Sequence, residues 1–300
     1  MKFPKKVLIY AINKAENNIL KLMSDKLYLK MLYRLNLGKK LDFENPNTFN
    51  EKLQWLKIYD RNPQYTQMVD KYEVKKYIEN KIGAEHVIPT LGIWNSFDEI
   101  DFDLLPNQFV LKCTHCGGVY ICKDKSTWNT KEIAKKINIS LRKNYFWHVR
   151  EWPYKNVLPR IIAEEYIAND EQEYKDNSLI VYKVFCFGGE PYLLQVIQND
   201  KRKDETIDYF DTEWNLLDLK QNFPNSKVHL EKPQQLSRML ELSRNLSQGM
   251  AFLRVDWYIK NETLLFSEFT FYSDAGMAKF EPADWDEKLG EMIDLKGFEK

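Results

Sequence analysis

The chain has 300 residues, and 44 Lys+Arg balance 44 Asp+Glu to give a pI near 6.9. Zero net charge excludes a uniformly basic nucleic-acid coat, and 44% hydrophobic with 14% aromatic residues excludes a disordered chain. The length suits two lobes or one large domain with an appendage, at roughly 100–200 residues per domain.

The neutrality is uneven along the chain. Residues 1–40 carry ten basic and two acidic side chains, a net +8, so the remainder sums to −8. The apolar run Val7 to Ile12 is far shorter than the roughly 20 residues a membrane span needs, and no small-residue cleavage site follows it. From Lys14 to Leu35, Ile19, Leu20, Met23, Leu27, Met31 and Leu35 recur at helical spacing, with lysines mostly off that face. Two readings stay open: a helix packed on the body, or one lying on a membrane surface.

Asn45-Pro46-Asn47-Thr48 predicts a turn, and Thr48 with Glu51 a capping box that opens a helix through Ile58. A second helix is expected from Tyr65 or Asp70 to Ile82, closed by Gly83. Past Pro89 come short extended segments: strands at Phe109 to Lys112, Val119 to Cys122 and Arg160 to Ile167, with a helix from Thr130 to Lys143. A hairpin follows at Val181 to Phe187 and Pro191 to Ile197, turning on Gly188-Gly189, then a helix from Gln234 to Gln248. The last hairpin pairs Phe252 to Ile259 with Thr263 to Phe271, and a short helix lies between Trp285 and Leu295. No internal repeat is visible.

The last hairpin carries the strongest chemistry. Arg254 and Asp256 occupy the polar face of one strand, Glu268 and Thr270 that of the other. A three-residue connection would set Asp256 directly opposite Glu268, about 5 Å away, whereas a two-residue turn would set them on opposite faces. Like charges so close need a compensator. Either a divalent cation such as magnesium or Arg254 itself supplies it.

Lys112-Cys113-Thr114-His115-Cys116-Gly117-Gly118 lies between two strands. Its glycines let backbone N–H groups fold over a phosphate that a strand-end lysine can also reach, though a plain tight turn reads the same way. It is not a Walker A loop. Cys113, His115, Cys116 and Cys122 invite zinc, against which adjacent strand residues point to opposite faces. Four cysteines, with Cys186, are too few for a disulfide framework and indicate a reducing, cytoplasmic setting.

Several stretches, NPNTFNEKLQWLKIYDRN, VDKYEV, FVLKCTHCGG, REWPYKNVLPRIIAEEYI, YKVFCFGGEPYLLQV and RVDWYIKNETLLFSEFTFY, taken in order, resemble the ATP-grasp ligases. More narrowly they look like the teichuronopeptide-biosynthesis (TupA-like) branch, over about Asn45 to Leu295. The resemblance implies an α/β (α+β) fold in which two α/β lobes clamp a nucleotide, preceded by a helical N-terminal segment. Its parts would be residues 1–64, a small lobe over 65–167 and a large lobe over 168–300.

The resemblance further implies ATP and Mg2+ as cofactors. Lys71, Lys112 and Lys183 would contact phosphates, with Gly117 and Gly118 in the phosphate loop. Glu164 would accept the adenine amino group, Glu165, Tyr166 and Ile167 would offer backbone contacts, and Glu171 would hold the ribose. Asp256 and Glu268 match the metal ligands, Thr270 stands where relatives usually place Asn, and Arg254 matches the arginine on the transferring phosphoryl group. The loop also departs from the small, serine-containing segment expected of relatives.

Such a site activates a carboxylate as an acyl phosphate for attack by an amine. By analogy the partners are a uronic-acid glycan or its precursor and an amino acid or amine, in cell-surface polysaccharide assembly, with no nucleic acid. Arg150, Trp152 and Tyr154 are a candidate acceptor surface, the alternative being a buried aromatic anchor. A sugar-nucleotide glycosyltransferase and a binding protein with a degenerate nucleotide site are the competing readings. The basic lead segment is expected to hold the enzyme at the inner face of the membrane.

Overall fold

In the computed structural model, residues 20–167, 179–200 and 202–298 are described. Residues 1–19, which carry +3 of the lead segment's +8, and Glu171 lie outside them. Two antiparallel sheets organise the chain. The smaller has the order β1-β4-β2-β3, from Thr90–Trp94, Ile161–Glu165, Phe109–Cys113 and Val119–Cys122. The larger has the order β7-β6-β5-β8-β9, from Thr206–Asp211, Glu190–Gln198, Val181–Phe187, Phe252–Lys260 and Thr263–Thr270.

The helical lead differs from its sequence pattern. A short 3-10 turn at Leu20–Leu22 is followed by a new start, where Ser24 Oγ accepts the Leu27 N–H and caps α1 (Asp25–Leu37). Gly38, at φ 75°, closes the helix in the left-handed region that glycine adopts at little cost. The buried face is Tyr28, Leu29, Leu32 and Tyr33, while Leu27 is exposed. Tyr28 and Tyr33 lie outside the apolar set the spacing picks out, yet their rings carry the packing. Lys26 Nζ donates to Tyr59 Oη, and Lys21 and Lys30 lie over the Trp147 and Phe43 rings. The described part of this basic helix is thus docked on the body.

The capping box forms as the sequence predicts: Thr48 Oγ1 accepts the Glu51 N–H, and the Glu51 carboxylate accepts the Thr48 N–H, opening α2 (Phe49–Tyr59). The second helix is interrupted. It divides into α3 (Gln64–Val69) and α4 (Glu73–Ile82) because Asp70 turns the chain, its Oδ1 accepting the N–H groups of Tyr72 and Glu73. Lys71 sits at that break, and its N–H donates to Thr114 O in the glycine loop.

Helix α5 (Thr130–Leu141) packs its buried Ile137 under the small sheet, in a core with Phe109, Leu111, Cys113, Cys122, Ile161 and Ala163. A short helical turn, α6 (Phe146–Val149), leads to a 3-10 turn at Trp152–Asn156. The larger core belongs to the five-stranded sheet. Helix α7 (Leu236–Ser247) buries Leu236, Met239, Leu242 and Leu246 against it, and fully buried Trp257 donates its indole N–H to Ser243 Oγ. Met68, Val69, Val74 and Ile78 of α3 and α4 join this core. Helix α8 (Trp285–Glu291) presents Gly290 to the start of α2, where any Cβ would strike the Asn47 carbonyl. Strand β7 escaped the sequence pattern, because the aspartates of Thr206–Asp211 mask a strand whose Ile207, Tyr209 and Phe210 are buried.

Candidate functional site

The two sheets face each other across a cleft of about 610 Å3. Lys71, Lys112, Gly117, Tyr166 and Ile167 come to it from the small-sheet side, and Lys183, Asp256, Ser267 and Glu268 from the large sheet. Val119, Ile121, Leu179 and Val181 add apolar walls that no motif had flagged.

The pairing of the two acids is reached by an unexpected route. The β8–β9 connection is a two-residue turn: Lys260 pairs with Thr263, and Asn261 and Glu262 both take positive φ, 47° and 62°. With a regular ladder that turn would separate the acids. A bulge at Ser267 adds one residue to β9, so Trp257 pairs with Phe266 but Asp256 pairs with Glu268 and Arg254 with Thr270. The expected three-residue connection is therefore wrong, and the expected juxtaposition stands because the bulge restores it. Both Ser267 and Glu268 open on the cleft.

Asp256 is 1% exposed and is gripped by two cations. Arg254 donates to it bidentately, Nε to Oδ1 at 2.7 Å and Nη2 to Oδ2 at 2.8 Å. Lys183, its cross-strand partner on β5, places Nζ 3.5 Å from Oδ2. Glu268 is more open, with Lys71 Nζ at 3.7 Å and Arg254 Nη2 at 3.9 Å. Burial alone would raise the Glu268 carboxyl, but Lys71, Lys183, Arg254 and Lys112 together hold it at about 2. Burial likewise opposes the Arg254 charge, yet Asp256, then Glu268 and Asp274, keep its pKa above the ordinary guanidinium value. Arg254 Nη1 also donates to Ser273 Oγ at 3.3 Å. Thr270 faces Arg254 in the ladder and does not line the cleft.

Glu164 sits elsewhere. Its carboxylate, on β4, lies behind the cleft and bridges Lys75 of α4 and Lys112 of β2, one oxygen to each. These ion pairs outweigh burial and hold its pKa below the ordinary carboxylate value. Both oxygens expected to meet an adenine amino group are thus engaged by lysines. The same pair fixes Lys112 where it reaches the cleft, and Lys75 carries no signal in the sequence. Glu165 is exposed and its N–H donates to Pro89 O, which leaves the backbone of Tyr166 and Ile167 for the cleft.

The glycine loop is half anchored. Thr114 N donates to Arg160 O at 2.9 Å, Thr114 Oγ1 to Leu158 O at 2.9 Å, and His115 Nε2 lies 3.0 Å from Ser140 O. Gly117 lines the cleft with open space on its Cβ side, and Gly118 follows it. The zinc alternative fails: Cys113 and Cys122 are fully buried, His115 is turned to α5, and the described residues hold no group of three or more metal-ligating side chains. A hydrogen bond from the Cys113 thiol instead lowers the Cys116 pKa well below that of an ordinary thiol, helped by Gly118, His115 and Lys71.

The proposed acceptor residues do not form an open surface. Arg150, at φ 56°, is 1% exposed: its Nη2 donates to Leu20 O, its Nε lies 3.1 Å from Asp25, and its guanidinium stacks on Tyr28 and Trp147. It fastens α1 to α6. Trp152 begins the 3-10 turn, and Tyr154 packs edge-on to Tyr145, with ring centroids 4.9 Å apart. Arg150 is thus buried, while Trp152 and Tyr154 are half-buried.

Two sheets closing on a cleft of lysines and paired acids define the ATP-grasp class of fold. The chain belongs to the TupA-like ATP-grasp family, whose sequence model matches residues 51–294. No curated protein matches it in sequence. Among solved structures, it is similar to a D-alanine–D-alanine ligase from Bacillus anthracis (17% identity, TM-score 0.41, covering 68% of this chain and 57% of that one). It is also similar to an L-amino acid ligase from Bacillus licheniformis (12% identity, TM-score 0.45, covering 76% and 49%). The chain therefore spans about half the length of these ligases. No helix among the described residues is long and apolar enough to cross a membrane.

Proposed function

We propose that the protein is an ATP-dependent carboxylate–amine ligase. The observation that carries this reading is the Asp256–Glu268 pair on the cleft, ringed by Lys71, Lys112, Lys183 and Arg254. Lys71, Lys112 and Lys183 on one cleft, with buried Arg254 behind Asp256, suit a polyphosphate, and two hard carboxylates beside them suit magnesium that keeps phosphate and water in its remaining positions. Asp256 and Glu268 would hold the ion, which neutralises phosphate charge when bound. The donor set fits, because Glu268 stays ionised and open, while Asp256 has to share its oxygens with Arg254. The apolar walls Val119, Ile121, Ile167, Leu179 and Val181 form a slot for a flat base, with the Tyr166 and Ile167 backbone at its edge.

In this reading Lys71, Lys112 and Lys183 orient the phosphates, and Arg254 stabilises the phosphoryl group as it passes to the carboxylate. The resulting acyl phosphate is attacked by an amine. The carboxylate belongs to a uronic acid or amino acid, the amide decorates a surface polysaccharide, and the work is done in the cytoplasm near the membrane. The test is a screen of uronic acids, amino acids and uronic-acid glycans for ATP-dependent phosphate release. Release that requires both a carboxylate and an amine is the expected result. Turnover of a sugar nucleotide without ATP overturns it.

A further inference from the structure

One motif of the sequence is left unused by this reading. Cys113 ends β2, and Thr114 and His115 are the central pair of the turn that joins it to Cys116. A turn of that kind brings its first and fourth Cα atoms within about 7 Å, and a disulfide spans about 4.4–6.8 Å. Cys113 is fully buried in the core under the small sheet, half-buried Cys116 packs against the same core, and the Cys113 thiol hydrogen-bonds Cys116. The other two thiols lie elsewhere. Cys122 pairs with Phe109, which lies four residues, roughly 13 Å, along β2 from Cys113, and its thiol donates to Asn107 O at 3.7 Å. Cys186 is buried in the core of the large sheet, where its thiol donates to Ser243 O at 3.9 Å.

The pair sits where a change of length is felt at the cleft. Along β2, Lys112 reaches the cleft, while Leu111 and Cys113 point to the opposite, core face of the sheet. Thr114 is held by Arg160 O and Leu158 O, and His115 by Ser140 O, so the first half of the loop is fixed. Gly117, the residue after Cys116, lines the cleft and has open space on its Cβ side. A covalent bond of about 2.05 Å between the sulfurs is shorter than a hydrogen-bonded contact between them. It therefore draws Cys116 towards the core face, and Gly117 with it, away from the cleft.

We propose that Cys113 and Cys116 form a redox-active dithiol that a peroxide converts to a disulfide, withdrawing Gly117 from the cleft and weakening nucleotide binding. The dithiol rests on the loop alone; its effect on the nucleotide rests on the ligase reading. Cys116, the more accessible thiol, reacts first. Its sulfur attacks one oxygen of hydrogen peroxide, the O–O bond breaks with its electrons on the other oxygen, which leaves as water, and Cys116 becomes a sulfenic acid. The Cys113 sulfur then attacks the Cys116 sulfur. The S–S bond forms as the S–O bond breaks, and the departing hydroxide takes up the Cys113 proton as a second water. Two thiols have lost two electrons and two protons, and one peroxide has been reduced to two waters. A dithiol reductant restores both thiols by exchange.

The experiment treats the reduced full chain with hydrogen peroxide, maps its cysteines by mass spectrometry without reduction, and measures MgADP affinity by calorimetry before and after. The expected product carries a Cys113–Cys116 bond and is lighter by two hydrogens. It binds MgADP about tenfold or more weakly, and dithiothreitol reverses both changes. Cys116 that stays reduced, that stops at a sulfinic acid, or that pairs with Cys122 or Cys186 overturns the proposal, as does a Cys113–Cys116 bond that leaves MgADP affinity unchanged. Cys116→Ser is expected to bind MgADP as the reduced wild type does and to keep that affinity after peroxide. A peroxide-induced loss in this variant equal to that of the wild type overturns the proposal, because the oxidation that matters then lies elsewhere. Should Cys116→Ser fail to fold, Cys116→Ala takes its place with the same two outcomes. Failure of the reduced wild type to bind MgADP defeats the ligase reading and the effect on nucleotide with it, while the mapped bond still decides the dithiol.

Discussion

Glu164 and Glu268 stand on facing sheets, and each is surrounded by lysines, but they do opposite work. Glu164 is 5% exposed and saturated, each oxygen held by one lysine, so its charge is consumed in fixing Lys75 and Lys112. Glu268 is 42% exposed at its side chain, with its nearest cations at 3.7 and 3.9 Å, so its oxygens remain available. The cations lower both carboxyls, so the charge state does not distinguish them. Distance and access do. A glutamate in a closed ion-pair lattice has its oxygens used up, and one facing a cleft with its cations held back keeps them accessible.

The strongest way to break this contrast is to neutralise each acid in turn. Glu268→Gln is expected to lower ATP-dependent phosphate release by about 10³-fold while thermal unfolding stays within a few degrees of wild type. Steady-state phosphate assays beside calorimetry check it, and near-normal turnover would remove Glu268 from the site.

Glu164→Gln should do the reverse at the level of the fold. It leaves Lys75 and Lys112 buried against a neutral amide, at a cost of about 3–5 kcal/mol by denaturant unfolding. The sign with pH follows from its depressed pKa. The stabilisation is complete above the ordinary carboxylate range and is lost as pH falls through the depressed value, an acid limb that the variant lacks.

A smaller effect probes the glycine loop. Cys116 is expected to react with iodoacetamide almost as fast at about pH 6 as at about pH 8, because the Cys113 thiol lowers its pKa, whereas Cys113, Cys122 and Cys186 stay protected by burial. Peptide mapping by mass spectrometry reads the rates. Cys116→Ser should leave turnover near wild type; simultaneous loss of activity and bound zinc would contradict the arrangement described above.

The smallest expected effect is at the hairpin turn. Glu262 holds φ 62° with a side chain, so Glu262→Gly should add about 0.5–1 kcal/mol of stability without changing turnover. A loss of activity would show that the turn, rather than the Ser267 bulge, sets the register of Asp256 against Glu268.

Much of the fold was legible because its signals are local. The Thr48–Glu51 capping box, the alternation along Phe252–Lys260 and Thr263–Thr270, and the glycine turn at Gly188-Gly189 depend on residues a few positions apart. The candidate acids and lysines were legible for the same reason, since their spacing along strands determines which face they share. Strand β7 and the tyrosine face of α1 were not, because aspartates and tyrosines read as polar until a partner surface buries them.

By itself, then, the sequence determined most of the elements, the two acids and the family to which the chain belongs. Only the tertiary structure decided what each charge is for. The Ser267 bulge, not the turn, brought Asp256 opposite Glu268, and a lysine from α4 together with Lys112 closed Glu164 off. Arg150 was sealed against α1. Pairing, burial and access are relations between residues far apart in the chain, and no spacing along it encodes them.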